Sequence, residues 1–122
     1  MKFINLTPHE IKVIHEGFEC TFPPSGTVAR VAYERGPTYV LGNPEGNTDD
    51  PAWGHITFAV LRERKSDSRL PEPQEGVLYI VSRDVAQHNL DRRDLIVPDT
   101  EDAVRDDKGR IIGVPGFVAF SK

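Results

Sequence analysis

The chain has 122 residues, enough for one modest core, with hydrophobic residues at 38% and charged residues at 28%. That balance suits a globular protein, and no apolar run reaches transmembrane length, so no membrane partner is expected. A formal net charge of −4 argues against general affinity for a nucleic acid polymer and leaves room for a local cationic pocket.

Cys20 is the only cysteine, so no internal disulfide forms and a reducing compartment is expected. The segment Met1-Lys2-Phe3-Ile4-Asn5 lacks a signal-peptide core. Ten glycines and ten prolines predict many turns and short strands rather than long helices.

In chain order, Phe3–Leu6 reads as a short strand turned by Thr7-Pro8-His9-Glu10, where Pro8 supplies the fixed φ of a turn. Ile11–Glu16 alternates and ends at Gly17. Phe18–Phe22 alternates again, with Phe18, Cys20 and Phe22 expected together on a packed face. Pro23-Pro24-Ser25-Gly26 is a turn, and Thr27–Tyr33 reads as a further strand, making the N-terminal third an antiparallel meander. Thr38–Leu41 and Ile56–Leu61 are strands on either side of a polar loop, Gly42–Gly54, which Trp53 is expected to anchor. Arg62–Arg69 is a solvated charged connector, and no domain boundary is expected there.

The stretch Leu70–Gln87 organises the rest. Pro71 and Pro73 stiffen the approach, Gly76 releases it, and Val77-Leu78-Tyr79-Ile80-Val81 carries no charge, as a strand buried on both faces does. Ser82 then reads as a helix cap for Asp84–Leu90. A strand that runs into a helix start presents polar groups and free N–H donors at one spot, so a site is expected near that junction. Leu95–Val97 is a strand stopped by Pro98. Residues 103–113 read as a hairpin with Gly109 available for positive φ, and the apolar tail Val114–Phe120 is expected to pack, on this chain or on another subunit. The fold class expected is α+β, mainly antiparallel sheet with one or two short helices, in a single domain spanning residues 1–122.

Enzyme chemistry finds little support in these residues. His9, His15, His55 and His88 have no metal-ligand spacing, and His9 suits a turn cap. Cys20 lies among Phe18 and Phe22, a packing position rather than a nucleophile's. The acidic pairs Asp49-Asp50, Glu101-Asp102 and Asp106-Asp107 fall in turns, and no nucleophile elbow, P-loop or dinucleotide fingerprint is present. No cofactor is expected. Binding has more candidates. Arg30, among apolar neighbours, is either on a solvated face or in an anion pocket, and Arg110 follows Gly109 where a guanidinium fork could meet a phosphate. Arg83 and Asn89 flank the short helix; Asn89 suits a purine edge or a helix C-cap. Trp53, Phe58 and Tyr79 are aromatic candidates for stacking, with core packing expected for the last two.

The segments Ile4–Ile11, Pro23–Val31, Leu70-Pro71 with Gly76, Tyr79–Ser82, and Val104–Asp106 with Gly109–Gly113 resemble a family of small phage and prophage proteins. Within that set, the length and layout are similar to the phage Thoeris anti-defence proteins of the first type. Those proteins are sponges that sequester cyclic ADP-ribose isomers made by bacterial TIR-domain enzymes and do not cleave them. The resemblance implies two phosphate-holding arginines, matching Arg30 and Arg110, and a base side built from Val81, Ser82 and Asn89, with Arg83 alongside. The sequence departs from the pattern where an aromatic would stack on the base, since Tyr79 is the nearest one. The resemblance also implies homo-oligomers, dimers or hexamers, with pockets between protomers. Some members bind cyclic oligonucleotides at a second site, and the place of action is the cytoplasm of an infected bacterial host.

A sponge needs affinity rather than transition-state stabilisation. Depleting a micromolar signal takes at least about 10 kcal/mol of binding free energy, which arginine–phosphate pairs and one stacked base can supply. The readings from other classes are a phage structural or protein-interaction module, a sugar-binding β-module, and a hydrolase that destroys the signal.

Overall fold

The charge-free run after Gly76 becomes the inner strand of a four-stranded sheet. The computed structural model describes residues 1–43 and 54–121. In it β6 (Val77–Ile80) lies between β1 (Lys2–Asn5) and β7 (Leu95–Pro98), parallel to both, and β10 (Phe117–Val118) closes the order β1-β6-β7-β10 antiparallel to β7. Tyr79 faces Ile4 in register on one side and Leu95 on the other. Parallel strands need long connections. The link between β1 and β6 carries the hairpin β2 (Ile11–His15)–β3 (Phe18–Phe22), the hairpin β4 (Tyr33–Asn43)–β5 (Gly54–Glu63) and a 3-10 turn (Lys65–Asp67). The link from β6 to β7 is the short helix α1 (Arg83–Gln87) with the turns after it, and β8 (Val104–Arg105) and β9 (Ile111–Gly113) pair between β7 and β10.

Strands dominate the described residues and α1 is the one α-helix among them, so the α+β label fits only coarsely. Most pairings are antiparallel, as expected, while both neighbours of β6 are parallel. The N-terminal third is therefore not a meander. β1 pairs with β6, while β2 pairs with β3 in a separate two-stranded sheet and bridges Val114 through Val13. Nor is Thr27–Tyr33 one strand: its first part forms no ladder, because Ala29 donates its N–H to the Leu6 carbonyl and Arg30 to that of Ser68, each at 2.9 Å, on two different segments. The C-terminal tail packs on its own chain, as β10.

The chain divides into two compact units, residues Met1–Val31 with Ser66–Lys122, and residues Ala32–Lys65. In the first, the period-2 alternation of β6 sorts the core. Tyr79 and Val81 pack with Leu6, Ala29, Val85, Ala86, Leu95 and Val97 on one face. Ile80 packs with Ile11, Val13 and Val114 on the other. The prediction of a strand buried on both faces holds. Tyr79 hydrogen bonds through its hydroxyl to the Glu72 carbonyl at 3.3 Å, satisfying its polar end. Beside it Arg92 grips Asp94 with two bonds of 2.8 and 2.7 Å and donates to the Pro71 carbonyl, which ties the proline approach to the start of β7. Hydrogen bonding to Asp94 raises the Arg92 pKa against the cost of burial.

Phe18 does not join the core. The tight turn at Glu16-Gly17, both at positive φ, places it at the hairpin tip, 60% exposed. Phe22, at the other end of β3, meets Phe3 and Phe117 at centroid distances of 5.3 and 5.7 Å, and Cys20 is half-buried.

The second unit is the hairpin β4–β5, with a register shift between Arg35 and Thr38. Phe58, expected in a core, is instead exposed and stacks on Tyr39 at 5.2 Å. No residue of this hairpin with a described side chain is buried. Trp53 and most of the predicted loop Gly42–Gly54 lie outside the described residues.

Candidate functional site

Because β1, β6 and β7 run parallel, their carboxyl ends meet at one edge of the sheet. The chain leaves that edge three times, at Thr7-Pro8-His9, at Ser82-Arg83 and at Pro98–Thr100. Ligands of sheets with parallel strands bind in such crevices. A cleft of about 700 Å³ lies there, within the size range of small-molecule sites. Its apolar lining includes Ile11, Val81, Val97 and Val114, its rim includes His9, Lys12 and Arg83, and β9 adds Ile111 and Ile112.

Each wall has a local cause. Asn5, 2% exposed at the end of β1, donates from Nδ2 to the carbonyls of His9 and Phe22 at 2.8 and 3.0 Å, and accepts at Oδ1 from the Thr7 N–H and hydroxyl at 2.9 and 2.7 Å. That one side chain folds the Thr7–His9 turn over the sheet edge. Ser82 caps α1, its Oγ accepting from the Val85 N–H at 3.3 Å, as the sequence predicts. The cap fixes the exit of β6 and sets Arg83 at the rim. There Arg83 lies 3.8 Å from Glu101 and 5.2 Å over the Phe120 ring. Gly113 lets β9 close against β2, for a Cβ there would sit 2.8 Å from the Lys12 carbonyl oxygen. The Val114 N–H then donates to that same oxygen at 2.9 Å.

The electrostatics are mixed. Lys12 pairs with Glu19 at 3.2 Å and Arg83 with Glu101, and both acids are more than half exposed. An anion entering the cleft would therefore compete with surface carboxylates, whose pairs are worth little in water. The rim also carries the acidic Glu10, so the apolar floor with Lys12 and Arg83 suits a ligand with an apolar face and negative groups held away from that carboxylate.

Of the residues singled out from sequence, Val81, Ser82 and Arg83 come together on the cleft, where the strand–helix junction predicted a site. Arg30, Asn89 and Arg110 are not among its lining. Arg30 is exposed on the segment beside Ser68, the solvated alternative of the two left open for it. Asn89 donates from Nδ2 to the Val85 carbonyl at 2.8 Å, holding the last turn of α1 one residue beyond the C-cap, which is His88. Arg110 bonds Asp106 through Nε at 2.9 Å and is otherwise exposed. The carboxyl of Asp106 is held below its ordinary pKa chiefly by the Arg110 backbone N–H, against an opposing desolvation, with smaller help from the Arg110 side chain and the Lys108 N–H.

Sequence reasoning missed Lys12 and Thr100, and placed His9 only as a turn cap. His9 contributes its carbonyl to the Asn5 network, and it also lines the cleft. The parallel pairing of β1 with β6, which brings these residues to Ser82, is a contact across the whole middle of the chain and leaves no local signal. Among the described residues no cluster of His, Cys, Asp or Glu could hold a metal ion, and no helix is long and apolar enough to cross a membrane. No family model, curated protein or solved structure matches the chain.

Proposed function

We propose that this cleft binds a phosphate-bearing nucleotide of the cyclic ADP-ribose class and retains it uncleaved, the chain acting as a Thoeris anti-defence sponge in the cytoplasm of an infected bacterial host. The observation that carries the reading is the pairing, in one cleft of about 700 Å³, of an apolar floor at the carboxyl ends of parallel strands with Lys12 and Arg83 on its rim. The floor takes the base and the cations take the pyrophosphate, with Arg83 offering a planar fork of donors. Ile111 and Ile112, which also line the cleft, supply further apolar contact for the base. Arg30 and Arg110 enter such a site only from a neighbouring protomer, in keeping with the pockets between protomers that the resemblance implies.

Calorimetry with cyclic ADP-ribose isomers tests this, followed by heat denaturation and identification of the released ligand. The expected result is sub-micromolar binding with intact ligand returned. Arg83→Ala and Lys12→Ala should each weaken it at least about tenfold, a loss of roughly 1.4 kcal/mol. Absence of binding to every isomer, or recovery of a changed product, overturns the reading. The competing reading, a protein-interaction module, draws on the exposed apolar hairpin β4–β5 and predicts no heat with any isomer.

A further inference from the structure

Arg92, Arg105 and Arg110 spend their donors on fixed partners. Arg92 bonds Asp94 and the Pro71 carbonyl, Arg105 donates to the Gly109 carbonyl at 2.7 Å, and Arg110 donates to Asp106 at 2.9 Å. Arg83 differs. Its Nη2 lies 3.8 Å from Glu101 Oε1, inside ion-pair range and beyond hydrogen-bond length. Its other contact is the Phe120 ring, with the centroid 5.2 Å from the guanidinium carbon. The two supports differ in firmness. Phe120 is half-buried and packs against the cluster that holds Tyr79, Val81 and Val85, whereas the Glu101 side chain is 81% exposed. Arg83 lines the cleft, and so does Thr100, the residue before Glu101.

We infer that Glu101 is a tethered competitor for the ligand's phosphate at Arg83, and that Phe120 is the platform on which Arg83 exchanges one anion for the other. The inference rests on the reading that this cleft takes an anion. A guanidinium presents its N–H donors in a plane, and contact with a ring face consumes none of them. Held only by a ring and by a carboxylate beyond bonding distance, Arg83 keeps its donors for a phosphate, which accepts bidentately. Until such a ligand arrives, Glu101 balances the charge. Anchored just beyond β7, Glu101 is never diluted away, so every anion must displace it. Displacement is easy, because exposed ion pairs are worth little in water. It lowers the affinity of each anion by the same factor. Weak anions fall out of range, while a ligand that also covers the apolar floor stays within it. Glu101 and Phe120 both act through Arg83, which makes them positioning residues.

Inorganic pyrophosphate is the probe, titrated into the full chain and followed by the Arg83 Nε–H resonance and the amide resonances of Lys12 and Ser82. Pyrophosphate should shift them, and Glu101→Gln should lower the apparent dissociation constant about two- to fivefold. Phe120→Leu should raise it by about the same factor, and Phe120→Tyr, which keeps the ring, should restore it. In a chain that carries Arg83→Ala, the residual binding read at Lys12 should respond to neither Glu101→Gln nor Phe120→Leu. A merely structural role for Phe120 would not produce that silence. If Phe120→Leu does not fold, as judged by the methyl resonances of Val81 and Val85, Phe120→Met carries the same expectation. Pyrophosphate binding that ignores Glu101→Gln overturns the inference and leaves the nucleotide reading standing. So does an effect of Phe120→Leu that is equal with and without Arg83, or no shift with pyrophosphate at all. The expected pyrophosphate pattern without binding of any cyclic ADP-ribose isomer keeps the inference and overturns the nucleotide reading alone.

Discussion

Asn5 shows how much structure one amide can determine. It is buried, uses both donor hydrogens and both acceptor positions, and connects the end of β1 to the Thr7–His9 turn and to the end of β3. No other side chain has the same length with a donor and an acceptor at its tip, so Asp, Leu and Ala each strand at least one buried group. Stranding costs more than the bond itself was worth. Asn5→Ala should lower the unfolding free energy by about 2–3 kcal/mol in urea titration, and it should loosen the Thr7–His9 wall of the cleft. A change below about 0.5 kcal/mol would show that water replaces the network at no cost. Leucine in the same place should do no better, since the loss lies in the partners of the Phe22 carbonyl and the Thr7 N–H rather than in volume.

At the scale of elements, one ionisation supports the turn of the β8–β9 hairpin. Asp106 accepts from the backbone N–H groups of Lys108 and Arg110 and from the Arg110 guanidinium, and these contacts favour its charged form in the folded state. With the folded pKa below the unfolded one, the contribution is complete above the ordinary carboxylate range and is lost as pH falls through the lower folded value. The protection factors of the Lys108 and Arg110 amides should therefore be retained at pH 6 and fall as pH drops below about 4, ahead of those of the β6 amides. Uniform exchange across both regions would sink this account. Since Ile111 and Ile112 line the cleft, ligand binding should weaken over the same interval. The elements that could be read from sequence were those with local chemistry: the Ser82 cap, the positive φ of Gly109, and the uncharged run of β6. Thr27–Val31 looked like a strand because it alternates, but alternation reports which side is buried and not whether a ladder forms. Phe18 looked packed because it alternates with Cys20 and Phe22, and Phe58 because it is a large aromatic, but the first sits at a hairpin tip and the second on a two-stranded hairpin.

On the scale of the whole molecule, the cleft exists only because β1 reaches β6 across more than seventy positions, and no local pattern could disclose that. The junction at Ser82 was legible as half of a site; its other half, Thr7–Lys12, was legible only as a turn. The same pairing has a kinetic meaning. During synthesis β1 leaves the ribosome well before β6, the strand it pairs with, which follows only after the hairpins β2–β3 and β4–β5, and β7 follows later still. Contacts so far apart in sequence close slowly, because the loop entropy is lost before the reward arrives. Refolding from urea should run on a time scale of about milliseconds to seconds, and substitutions in the β1–β6 pair should slow it more than equal losses in β8–β9. Until β6 emerges, β1 therefore has no neighbour to pair with, and its backbone N–H and C=O groups stand as an open sheet edge on the nascent chain.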